Sequence, residues 1–397
     1  MRERMLFLSA RSHSPEDTEG YIRTKNFLDI LLERFDIDLL EYSHLRRETP
    51  VLRNPALTVH QVKQPAAARR SLLFRLKRPR SEVAVTGNGK SLRAAITEMC
   101  RLHSYSHVFV THGMPGNSLN LISSLLPEAV IVADVRRFGS RQAQSRAAAG
   151  HGISKGYYKL NAALIRREVR RLMTKTSLLL TATEGEALSF KAVSFADAGK
   201  VHVVPPYIDL DELPYCANGH IFKDNSIVLH WDMDSTHGKN AALLFFRKVY
   251  PLIQAEVPDF RCYIISGKVH PEVAAAAQKD SSIVITGTGE AEQSAGYIRR
   301  ARAVVVSLSE GCGSQVKILE AWALRTPVVS SLNGSEELIC EPGRNILLAG
   351  TPAAFADHLV RLLTMPELGS IIADQAYRTL SEHYAADGVK AKVLNLV

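Results

Sequence analysis

Short apolar runs alternate with amphipathic stretches along most of the chain, a pattern that predicts strands interleaved with helices. Met5–Ala10 (MLFLSA) reads as a buried strand, and the polar SHSPEDTEG after it reads as a loop. In YIRTKNFLDILLERF the apolar Ile22, Phe27, Ile30, Leu31 and Phe35 fall near helical spacing, and DIDLLEY then reads as a short strand. The pattern breaks down between Thr49 and Lys90. It resumes with a helix near Ser91–Leu102, the strand HVFVTH, the segment GMPGNSLNLISSLL and the strand VIVADV. A helix around Leu160–Lys175 follows, then SLLLTAT and VHVVPPYID as strands bracketing a further helix.

The same rhythm restarts beyond Pro205–Pro206. SIVLHWDM, FRCYIISG, SIVITG, AVVVSLS and TPVVSS read as strands. AALLFFRKVYPLI, VAAAAQKD, a stretch near Ala291–Ala301 and KILEAWALR read as the helices between them, with more helix at the end. Strands alternating with helices over both halves imply an α/β protein with two Rossmann-like, doubly wound parallel sheets. The expected domains are 1–205 and 206–370, with a linker near 206–225 and a closing helical segment, 371–397.

Length agrees, because 397 residues suit two domains of roughly 150 to 200 residues each. No apolar run approaches the roughly eighteen residues a membrane-spanning helix needs. The N-terminal MRERMLFLSARSHS is too briefly apolar for a signal peptide and reads as a first strand. Five scattered cysteines, with no C-x-x-C and no Cys/His cluster, suggest neither a disulfide framework nor a zinc site, and a reducing cytoplasm is the expected compartment.

The formal charge of +9 changes the picture, since it calls for an anionic partner: nucleic acid, a membrane surface or a small substrate. It is unevenly spread. RRSLLFRLKRPR, 69–80, holds six basic residues and no acidic ones around Leu72, Leu73, Phe74 and Leu76. Two readings stand: a solvated loop, or a membrane contact through Arg69, Arg70, Leu73, Phe74, Arg75, Lys77 and Arg78. Nucleic acid is not expected, because aromatic platforms and any recognised module are missing. Arg166, Arg167, Arg170 and Arg171 add to the basic face.

Ligands of doubly wound sheets bind beyond the carboxyl ends of strands. There AVVVSLS runs into the glycine-rich turn Glu310-Gly311-Cys312-Gly313-Ser314, and a helix opens near Gln315. Glycines let backbone approach a phosphate, and the first helical turn directs N–H groups and a positive dipole end at it. Lys317 adds a mobile cation, and Glu320 is a carboxylate of the kind that accepts two ribose hydroxyls. Many turns of this make bind nothing, so the segment alone leaves both readings open.

The run EGCGSQVKILEAWALRTPVVSSLNGSEELI, continued by PGRNILLAGTPAAFADHLVRLL, resembles the donor-binding motif of retaining GT-B glycosyltransferases of family 4. VHVVPPYIDLDEL, SLLLTATEGEALSF and SPEDTEGYIRTKNFLDIL are similar to further family segments, so the resemblance covers most of the chain. It implies two domains facing a cleft, the first taking the acceptor and the second the nucleotide sugar, with the last helix crossing back. Glu320 would bind the nucleotide ribose. Gly313, Ser314 and Lys317 would hold the donor diphosphate, with Lys239 of STHGKN as a second cation, and Gly311 and Gln315 would also bind the donor. Gly20 and Arg23 would lie on the acceptor side. Glu310, His112 and Asp134 are the candidates for the catalytic step.

The chain also departs from the family. Nine residues lie between Glu310 and Glu320, more than in the family's glutamate pair, and Trp231 and Asp232 stand where the family offers glycine and often arginine. The implied reaction is retaining sugar transfer from a UDP- or GDP-sugar to a glycan or lipid-linked acceptor, in cell-surface polysaccharide or glycolipid synthesis. No metal or other cofactor is expected. The implied enzyme is cytoplasmic or peripheral on the inner face of the plasma membrane. Two rivals remain: a nucleotide-sugar epimerase or hydrolase on this fold, and a glycosyltransferase-like protein that binds without catalysing.

Overall fold

The structure, a computed structural model, describes residues 2–9, 18–43, 54–63, 90–111, 118–135, 152–211, 213, 223–286, 291–308, 315–335 and 338–397. The chain divides into two compact units, Met1–Val204 with Ala391–Val397, and Pro205–Lys390.

The first unit is built in the order β1 (Glu3–Ser9), α1 (Thr18–Leu31), β2 (Phe35–Ser43), β3 (Leu57–Lys63), α2 (Lys90–Leu102), β4 (His107–Thr111), α3 (Ser118–Leu125), β5 (Val130–Asp134), α4 (Gly152–Lys175), β6 (Leu178–Thr181), α5 (Glu184–Lys191) and β7 (Val201–Val203). Its strands form one parallel sheet in the order β3-β2-β1-β4-β5-β6-β7. Helices cover both faces, so β1 and β4 read as unbroken apolar runs rather than alternating ones. On one face Phe7 stacks on Phe109 at 4.9 Å, and Phe27 of α1 closes over Phe109. On the other, α2, α3, α4 and α5 bury Leu92, Ile96, Ile122, Val169 and Phe190. β3 lies in the stretch where the sequence pattern broke down; as an edge strand it needs no continuous apolar run, and LTVHQVK has none.

The second unit repeats the plan with β8 (Ser226–His230), α6 (Thr236–Leu244), α7 (Tyr250–Glu256), β9 (Arg261–Ile265), α8 (Pro271–Ala277), β10 (Ile283–Ile285), α9 (Ala291–Arg300), β11 (Ala303–Ser307), α10 (Gln315–Ala323), β12 (Val328–Ser330), α11 (Leu332–Ser335), β13 (Leu347–Leu348), α12 (Pro352–Thr364), α13 (Pro366–His383) and the start of α14 (Ala386–Leu396), whose residues from Ala391 on belong to the first unit. Its parallel sheet runs β10-β9-β8-β11-β12-β13. α6 and α7 are joined by a π-helical turn, Phe245–Val249, just ahead of Pro251, which lacks the N–H that would continue the ladder. Trp231 and Trp322 are both fully buried, on opposite faces of the sheet.

Strand order reverses between β8 and β11, because β8 leads outward to β9 and β10 while β11 leads the other way. That junction is where a doubly wound sheet leaves room for a ligand. The residues that follow β8 and β11 therefore decide what this unit can bind.

Candidate functional site

β8 delivers His230 to the reversal point, and α10 opens beside it. The imidazole is buried, and its Nε2 lies 3.1 Å from Oε2 of Glu320. Burial holds the His230 pKa below the ordinary value; the Glu320 hydrogen bond pulls upward, and nearby Lys317 adds to the lowering. A neutral ring facing a carboxylate donates its Nε2–H. One oxygen of Glu320 is thus held by His230, while about a third of the glutamate side chain remains open to solvent. Lys317 is half-exposed in the first turn of α10, at the positive end of the helix dipole. Together these groups offer an anion site next to a carboxylate that is already oriented.

The loop after β8 adds a second helix start. Ser235 caps α6 by accepting from the Gly238 N–H at 3.0 Å, and the Trp231 indole donates to the Gly238 carbonyl at 3.1 Å. A Cβ on Gly238 would sit 1.7 Å from the Asp232 carbonyl oxygen, so only glycine permits this fold-back. Trp231 is therefore a core residue that braces the loop from below. One turn on, Lys239 reaches Glu272 at 3.1 Å, and that ion pair holds the Glu272 carboxyl below its usual range. Glu272 is largely exposed, so the pair is a weak one that a phosphate can displace.

In the first unit, Arg23 and Asp134, singled out for different reasons, meet. Nε of Arg23 donates to both Asp134 oxygens at 3.0 Å, and a terminal nitrogen donates to Oδ1 at 2.7 Å. The other terminal nitrogen bonds the Val204 carbonyl at 2.7 Å, and the guanidinium lies 4.8 Å from the Phe27 ring centre. Both residues are buried, so the pair fastens α1 to the end of β5 and to the strand exit at Val204. In this arrangement the oxygens of Asp134 are already engaged.

Gly20 lies in α1. His112, Glu310, Gly311, Gly313, Ser314 and the whole 69–80 segment fall outside the described residues. Among the described residues, no three His, Cys, Asp or Glu side chains cluster as metal ligands would, and no helix is long and apolar enough to cross a membrane. His230 is the residue that sequence reasoning missed. It stands 90 positions from Glu320, and only its place at the end of the first strand of the second half marks it.

Residues 233–365 match the family model "Glycosyl transferases group 1", a span that includes Lys239, Lys317 and Glu320. The second unit carries a glycosyltransferase group 1 domain. The chain as a whole has the GT-B glycosyltransferase fold. It is similar to Anabaena HepE in complex with UDP and glucose (14% identity, 99% of this chain and 98% of that one, TM-score 0.60). It is also similar to the sucrose-phosphate synthase of Thermosynechococcus elongatus (13% identity, 100% and 98%, TM-score 0.69). A third similar structure is a mutant of S. aureus TarM in complex with fondaparinux, α-GlcNAc-glycerol and UDP (12% identity, 100% and 99%, TM-score 0.62). No curated protein matches the chain in sequence. The group 1 domain thus contains the His230–Glu320 pair's carboxylate and both lysines singled out from sequence.

Proposed function

We propose that the chain transfers a sugar from a nucleotide-sugar donor to a glycan or lipid-linked acceptor, with retention, in cell-surface polysaccharide or glycolipid synthesis. The observation that carries this is the Glu320 carboxylate, held by His230 at 3.1 Å beside Lys317 and the opening of α10. UDP in the HepE and TarM complexes supports a nucleoside diphosphate as the occupant, with UDP- and GDP-sugars as the donors to try first.

In this reading the free oxygen of Glu320 accepts the ribose hydroxyls. The α10 start, with Gly311, Gly313, Ser314, Gln315 and Lys317, meets the diphosphate, and Lys239 leaves Glu272 to join it. The bond from the anomeric carbon to the β-phosphate oxygen breaks, and charge grows on the departing diphosphate. In this reading Lys317, the relocated Lys239 and the helix amides stabilise that charge, with no metal called for. The anomeric carbon then bonds the acceptor oxygen, whose proton is lost to the leaving phosphate or a nearby base. Glu310 and His112 are assigned to the sugar and acceptor sides. Asp134 acts through its ion pair with Arg23, which positions the start of the first unit near Gly20. Retention rests on fold-family analogy. The segment 69–80, through Arg69, Arg70, Leu73, Phe74, Arg75, Lys77 and Arg78, is assigned to the inner face of an anionic membrane, where lipid-linked acceptors reside.

A thermal-shift screen across UDP-, GDP-, ADP- and dTDP-sugars tests the donor assignment, since a ligand bound by the native state alone raises its apparent stability. One nucleotide class should raise the melting point, and Lys317→Ala and Glu320→Ala should abolish the rise. A shift that survives both substitutions contradicts the site. A new sugar isomer formed from donor alone would show an epimerase instead.

A further inference from the structure

Lys239, assigned above to the diphosphate, directs its ammonium at a carboxylate of its own unit, donating to Oε1 of Glu272 at 3.1 Å. The backbone sets this meeting. β8 and β9 are parallel neighbours, and the loops that leave them are stitched together. The Met233 N–H donates to the Ser266 hydroxyl at 3.1 Å, and that hydroxyl donates to the Lys268 carbonyl at 2.7 Å. The His270 N–H donates to the Met233 carbonyl at 3.3 Å, and Met233 and Val269 form a parallel bridge. The fold-back at Gly238 fixes the start of α6. Pro271 and the His270 ring, which accepts from the Glu272 N–H at 3.2 Å, fix the start of α8. Lys239 and Glu272 therefore face each other from two helix starts that are held in place.

The partners are unequally exposed, the Lys239 side chain at 22% and that of Glu272 at 59%. A carboxylate so open to water holds a lysine weakly. A diphosphate carries more charge than one carboxylate, so at the same distance it attracts the ammonium more strongly. Glu272 is not stranded when Lys239 turns away. It lies in the first turn of α8, where the helix dipole favours an anion. Lys239 first, then His270 and Arg247, hold its carboxyl below the usual range, so two of these charges stay beside it. The exchange of Lys239 between a carboxylate and a diphosphate can thus run in both directions.

We propose that Glu272 is an internal competitor of the diphosphate for Lys239, a positioning residue that sets the affinity for the donor and for the nucleoside diphosphate product. The inference rests on the donor reading above, in which Lys239 joins the diphosphate. Its test is isothermal titration of UDP, GDP, ADP and dTDP into the parent chain, and then of whichever binds into the variants. Glu272→Gln keeps the shape and removes the competing charge, so it should bind that nucleotide roughly three- to fivefold more tightly. Glu272→Asp, whose carboxylate is withdrawn from Lys239 by one methylene, should fall between the two. Lys239→Ala should bind more weakly. Adding Glu272→Gln to it should bring no gain at about 0.15 M salt, where longer-range repulsion is screened. An unchanged melting temperature for each variant shows that the fold is intact. Equal affinity of the parent and Glu272→Gln overturns the proposal and leaves the donor reading standing, as does an equal gain in the Lys239→Ala background. Weaker binding by Glu272→Gln overturns it too, because Glu272 would then be a contact of the nucleotide. Failure of all four nucleotides to bind the parent removes the donor reading and this inference with it.

Discussion

His230 and Glu320 show how much one side-chain pair decides. Removing the imidazole takes away a hydrogen bond to a charged carboxylate and frees Glu320 to rotate. His230→Ala should therefore raise the donor KM on the order of tenfold, with a smaller change in kcat, and His230→Asn should recover part of the loss. The same residue sets a pH dependence. Its folded pKa lies below the unfolded value of about 6.5, so below that pH the unfolded chain binds the proton first. The stability contributed by a neutral His230 is thus present above about pH 6.5 and is lost as the pH falls through the window below it. Denaturant titrations at several pH values should show a shallower acid-side loss for His230→Asn. The Arg23–Asp134 pair makes a second residue-scale prediction. Asp134→Ala strands a buried guanidinium and should cost about 3–5 kcal/mol, and the double replacement of both by apolar residues should recover much of it. Recovery of stability without recovery of turnover would show that the pair also serves the reaction.

At the scale of elements, the proposed donor site is built on helix starts that the strands hold in place. Gly238 is the tightest of these joints. Gly238→Ala forces the Asp232 carbonyl away from α6 and should destabilise by about 1–3 kcal/mol while weakening donor binding, both measurable in one thermal-shift series. Gly296 in α9 is the control, because a Cβ there meets nothing within 4 Å. Gly296→Ala should stabilise by about 0.5–1 kcal/mol through helix propensity alone. The elements also show what the sequence could reveal. Strands buried on both faces, such as β1, β4 and β8, announce themselves as unbroken apolar runs. β3 did not, because LTVHQVK at a sheet edge is half polar and sits among basic, irregular sequence. The helix from Gln315 was legible because KILEAWALR carries apolar residues at helical spacing; the Gly-rich turn before it lies outside the described residues. The His230–Glu320 contact was not, because a pairing across 90 residues leaves none.

At the scale of the whole molecule, two parallel doubly wound units in the GT-B fold place the α10 start with Lys317 and Glu320 in one and a long basic helix in the other. Their division near Pro205 follows the diproline that marks the composition change. Trp231, which stands where the family resemblance leads one to expect glycine, became intelligible only in three dimensions. It fills the core and donates to the Gly238 carbonyl, so the departure from the family pattern braces the loop. The net charge of +9 is likewise placed by the structure, since the cations on α4 lie in the first unit and the proposed donor site in the second. The central claim remains that the α10 start with Glu320 binds a nucleoside diphosphate sugar. Isothermal titration of UDP-glucose, then GDP-mannose, into the parent chain and into Glu320→Ala tests it most directly. One donor should bind the parent and lose at least tenfold in affinity to the variant; binding of equal strength to both, or of neither donor to the parent, would contradict the account.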